Sequence, residues 1–132
     1  MQDRPTATEL LATLAEYLEA EVMPALEGPL GYRTRVAANL LRILEREQSL
    51  GTAALLRERA LLCGLLGHDP QTPQPEALVE QVADLNRQIA AAIDEHRIDH
   101  EPAWNALMEI TRAKIAIIRP GYDAWDAAGE LP

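Results

Sequence analysis

The sequence contains no phenylalanine, and aromatic residues make up only 4% of it. Its core must therefore be Leu, Ile, Val and Ala, which suits closely packed helices. Cys63 is the single cysteine, so no intramolecular disulfide can form, and a reducing compartment is expected. Positive charge is scarce: 12 Lys and Arg against 21 Asp and Glu leave a formal net charge of −9. That balance disfavours broad non-specific binding to nucleic acid or anionic membrane, though not a local basic patch. No apolar run approaches the roughly 20 residues of a membrane span. The polar start, MQDRPTATEL, does not read as a secretory leader. A soluble cytoplasmic protein is expected. Gly-rich phosphate loops, Ser-His-Asp patterns and zinc-ligand spacings are also missing. So is strand-like alternation of apolar and polar residues.

What the sequence does have is helical period. At 132 residues the length suits one domain, with a core over 6–118 and a tail over 119–132. Thr6 and Glu9 form a capping-box pattern ahead of a run placing Leu10, Leu11, Leu14, Leu18, Val22 and Ala25 on one side. Pro24 kinks or ends that helix. EGPLG, Glu27 to Gly31, is a break. A second helix follows, closed near Gly51 as a C-terminal glycine, and a third runs from about Thr52 to Leu66, stopping at Gly67. A proline-rich link to Pro75 opens the fourth helix, with Leu78, Val82, Leu85, Ile89 and Ile93 on one face. The fifth runs to about Ile118, and Tyr122 and Trp125 in the tail are expected to dock, being costly to leave in water. The fold expected is all-α: an antiparallel bundle of about five helices, four main ones and one shorter.

Some polar residues fall on apolar faces. In YRTRVAANLLRILERE, Tyr32 to Glu47, winding at about 100° per residue puts Val36, Leu40, Ile43 and Leu44 on one face. Glu47 shares that face, Asn39 borders it, and Arg35, Arg42 and Arg46 run alongside. In the fifth helix Lys114 lies in the middle of the stripe of Ala103, Leu107, Ile110, Ile117 and Ile118. Unpaired buried charges are costly, so the expectation is that Glu47 and Lys114 meet inside the bundle. Glu21, Asn86, Asn39 and Arg35 are candidates to complete that group. It reads as a register-fixing polar network or as a small ligand pocket.

Other candidates carry less. His96 and His100 are four apart, but Asp99 looks like an N-cap between them, so they span a turn rather than bind a metal. No Glu is followed three residues later by His, as a di-metal carboxylate bundle requires. Neither a metal nor a cofactor is expected. Cys63 sits in LLCGLLG, the setting of a core thiol. The arginine stripe has Glu45 and Glu47 close by and reads as a solvated, salt-bridged face.

QDRPTATELL, RVAANLLRILERE, DLNRQI and AKIAIIRPGY together resemble a family of small bacterial helical proteins of unknown function. The resemblance spans roughly Gln2 to Tyr122. Arg119 departs from it, since Asn is expected before Pro120. Genes of that family tend to lie beside an aminoglycoside-phosphotransferase-like kinase and an acyl-CoA dehydrogenase. The resemblance thus implies a non-enzymatic accessory protein of such a pathway, with either enzyme as partner, and assigns no catalytic residue. The competing expectation is a small enzyme or ligand-binding protein using the Glu47–Lys114 region. A homodimer is left open, with Trp104, Tyr122 and Trp125 as an apolar patch.

Overall fold

The structure is a computed structural model that describes residues 4–69 and 75–122. Among these residues it is all-helical, with α1 (Ala7–Tyr17), α2 (Gly28–Leu66), α3 (Leu78–Asp94) and α4 (His100–Ile118) and no strand. No helix of the described residues is long and apolar enough to cross a membrane.

α1 starts on the expected capping box. The Thr6 amide donates to Glu9 Oε2 at 2.7 Å, and the Glu9 amide donates to Thr6 Oγ1 at 3.2 Å. Beyond Tyr17 the helix loosens into a π segment, Leu18–Val22, then tightens into a 3₁₀ turn, Met23–Ala25, around Pro24. Leu26, in extended backbone, stops it.

The expected break at Gly51 does not occur. α2 continues through it for 39 residues, about 58 Å at 1.5 Å per residue. Gly51 is buried, and Glu47 folds along the helix over it: a Cβ added there would stand 2.5 Å from Glu47 Oε1. A glycine ends a helix only when the chain turns to positive φ after it. Gly67 does so, at φ 68°, and the His68 amide closes back on the Cys63 carbonyl at 2.9 Å. α3 ends by the same turn, except that its left-handed position is His96, at φ 55°. There the Arg97 amide donates to the Ala92 carbonyl at 2.9 Å.

The chain divides into two compact units, 1–51 with 117–119, and 52–116 with 120–132. The second unit holds a core of Leu62, Cys63, Leu78, Val82, Leu85, Ile89 and Ile110. Leu55, Leu61, Leu65, Leu66 and Ile98 pack against it. Cys63 is a buried free thiol within it, as expected.

The first unit is built differently. Among its described residues, the buried hydrophobic positions are Ala15, Ala38 and Ile117. Leu10, Leu14, Tyr17, Leu30, Tyr32, Val36, Leu40 and Leu44 are all exposed. Of the α2 stripe expected to face a core, Val36, Leu40 and Leu44 therefore face outward, while Ile43 is half-buried. On α2, Ala38 is two residues past Val36, about 200° around the helix, so the side that is buried is nearly opposite. Arg42 ties this unit together, donating to Glu19 of the π segment at 2.7 Å and to Glu45 at 3.1 Å. Its hydrogen bond to Glu19 holds the Glu19 carboxyl below its ordinary value and raises that of Arg42. Tyr122, expected to dock, is more than half exposed, and Trp125 lies outside the described residues.

Candidate functional site

Lys114 is the chain's single lysine, and its position on α4 comes from the helical period: Ile110 and Ile117, both buried, lie one turn either side. Its partner is a glutamate, but not the expected Glu47. Lys114 Nζ donates to Glu58 Oε1 at 2.8 Å. Glu58 is on α2, one turn before Leu62, so the same period that buries Leu62 carries the carboxylate into the core. At 3% exposure Glu58 is a buried charge, and burial without donors would cost several kcal/mol.

A second donor comes from α3. Asn86 Nδ2 reaches the same Glu58 oxygen at 2.9 Å and the Val82 carbonyl at 3.0 Å. Asn86 follows Val82 by one turn and precedes Ile89 by three residues, which puts the amide at the edge of the buried face. One carboxylate oxygen thus joins three helices of the second unit. Among the described residues, no buried side-chain nitrogen or oxygen is left without a hydrogen-bond partner.

Of the six residues singled out from sequence, Lys114 and Asn86 are brought together here, through Glu58. The other four are not part of it. Glu47, Arg35, Asn39 and Glu21 are solvent-exposed and belong to the first unit. The helix phase of Glu47 is as expected; its face is the outward one, so no buried charge needed a partner there. Glu58 stands in the third expected segment, between Arg57 and Arg59, two charged neighbours that mask its place on the apolar face. Winding that segment places Glu58 in line with Leu55, Leu62 and Leu65, the same signal that found Lys114.

The cluster is an ion pair whose carboxylate is also held by an amide. Lys114 meets water, with its side chain 54% exposed, while Glu58 does not, at 4%. Two surface clefts described in this unit are lined by other residues. One, of about 570 Å³, is lined by residues such as Arg59, Cys63, Gln81 and Asp84. In it Arg59 donates to Gln81 at 3.1 Å, and hydrogen bonds from Gln88 and Arg87 lower the Asp84 carboxyl. The other, of about 270 Å³, lies where α3 turns into α4. His96, His100, Ile98 and Trp104 line it, and the His100 and Trp104 rings are near parallel with centroids 6.4 Å apart. Among the described residues no group of three or more His, Cys, Asp or Glu is placed to hold a metal ion.

A protein family described as a domain of unknown function (DUF6285) matches residues 24–122, and the chain belongs to it. The matched span includes Glu58, Asn86 and Lys114 and begins after α1. No curated protein and no solved structure matches.

Proposed function

We propose that the chain is a non-enzymatic accessory protein that works by binding other proteins. The observation that carries this reading is the first unit's uncovered apolar surface. Tyr32, Val36, Leu40 and Leu44 are 41–68% exposed along one side of α2, while that unit buries little beyond two alanines and an isoleucine. Contiguous apolar surface of this kind marks an interaction site. The Glu58–Asn86–Lys114 cluster serves the second unit as a clamp that fixes the register of three helices.

The setting proposed is a bacterial cytoplasm, in a pathway served by an acyl-CoA dehydrogenase and an aminoglycoside-phosphotransferase-like kinase. The single-domain, antiparallel-bundle reading belongs to the same proposal. A family match that runs across both compact units supports the single domain. The competing reading, a small enzyme or ligand-binding protein using the Glu47–Lys114 region, has less support, because Lys114 bonds Glu58 and Glu47 is exposed in the first unit.

Co-purification of the two enzymes with a tagged chain at native expression tests the proposal. Recovery of either enzyme, lost on Leu40→Glu, is the expected result. A wild-type chain that recovers neither enzyme and assembles with nothing else refutes it.

A further inference from the structure

The α2 stripe carries opposite charges at its two ends. Arg33 stands one residue after Tyr32, and Glu47 three residues after Leu44. Relative to Val36 they lie about 60° and about 20° around the helix, both within the span of the stripe. Both are exposed, and neither has an ion pair within the chain among the described residues. Leu40 is midway between them, seven residues from each. The stripe is therefore complementary to itself when reversed.

We infer that this stripe is closed by a second copy of the chain, with the two α2 helices packed antiparallel about a two-fold axis at Leu40. This rests on the reading that the stripe is an interaction surface. In that arrangement Leu40 meets its own counterpart, and Val36 meets Leu44 of the other copy. Arg33 meets Glu47, and the axis makes the contact twice. A crossing near 20°, the angle of leucine-lined helix pairs, keeps the two ends within reach. A parallel pair would instead set arginine on arginine and glutamate on glutamate. The arrangement also accounts for a carboxylate on an apolar face: Glu47 faces the arginine of a partner rather than a core. A helix unit that buries mainly alanine gains from its neighbour the apolar contacts it lacks.

Sedimentation velocity on the full chain tests this. The wild-type species should have twice the chain mass of 14.6 kDa. Arg33→Glu and Glu47→Arg, each alone, should weaken the dimer by about tenfold, since each places like charges at both contacts. The combined Arg33→Glu/Glu47→Arg chain should return to wild-type affinity, because both contacts are again opposite in sign. Leu40→Glu should give a monomer, with far-UV circular dichroism confirming that its helices persist. A monomeric wild type, or single charge reversals that dimerise as well as wild type, overturns the inference. A monomeric wild type whose Leu40→Glu variant no longer recovers the dehydrogenase or the kinase refutes only the second copy. If recovery is also unaffected by Leu40→Glu, the interaction reading of this face falls with it.

Discussion

Lys114→Met should destabilise the chain more than Glu58→Met, although both break the same ion pair. The reason is the unequal position of the two ends. The Glu58 side chain is 4% exposed and the Lys114 side chain 54%. Without Lys114, Glu58 cannot move to water, and its shared oxygen keeps only the Asn86 donor, at 2.9 Å. Breaking a fully buried pair costs about 3–5 kcal/mol. Here the ammonium is half in water, so screening reduces its share and water can enter where it stood. About 2 kcal/mol is the expected loss. Without Glu58, Lys114 turns outward at little cost, and Asn86 loses one acceptor, for about 1 kcal/mol. The double variant should stay near that smaller value, because no carboxylate is then stranded. A cycle of urea melts on the singles and the double should give a coupling of about 2 kcal/mol. Against a total of about 5–15 kcal/mol for a domain, the lysine variant should melt visibly earlier. A coupling under about 0.5 kcal/mol would show that the contact contributes nothing specific. A larger loss for Glu58→Met than for Lys114→Met would show that the wrong end was taken as trapped.

Gly51→Ala should stabilise by up to about 1 kcal/mol, because glycine inside a helix is that much worse than alanine. The new Cβ would crowd Glu47 Oε1, 2.5 Å away, but that is the end of a flexible side chain free to turn to solvent. A fall in melting temperature would mean that Glu47 has nowhere to go. His96→Gly should stabilise by about 1 kcal/mol as well, since His96 holds a left-handed φ of 55° where Gly67 serves α2. A urea midpoint that fails to rise would mean that the imidazole contacts in the 270 Å³ cleft offset the strain. Arg42→Gln should flatten the acid limb of stability. Arg42 holds the Glu19 carboxyl below its ordinary 4.5, so the pairing stabilises above pH 4.5 and is lost as pH falls through the folded-state value. Urea midpoints measured downward from pH 5 should fall less steeply in the variant, and an equally steep fall would place the effect elsewhere.

The helical period made most of the elements legible. The capping box at Thr6 and Glu9, the stop at Gly67 and the face of α3 are local properties, written in neighbouring residues. Gly51 misled because glycine chemistry is ambiguous on its own. It permits a left-handed turn but does not require one, and Thr52 onward continues the helix without a proline to prevent it. Only the conformation at Gly67, where the chain turns to positive φ, separates the two cases.

The site was half legible for a deeper reason. Winding a helix shows which residues share a side; it does not show which way that side points. Glu47 and Glu58 lie eleven residues apart on one continuous helix, each in line with leucines, and nothing local distinguishes them. What separates them is what stands opposite. Around Glu58, α3 and α4 bring Asn86 and Lys114, so the carboxylate can be buried with its donors. Glu47 makes no ion pair among the described residues, so the carboxylate keeps its water and lies along its own helix over Gly51. The inference that an apolar face must be an inward face fails at this point. A stripe of valine and leucine with an arginine at one end and a glutamate at the other satisfies the same physics on the outside, provided a partner carries the same pattern reversed.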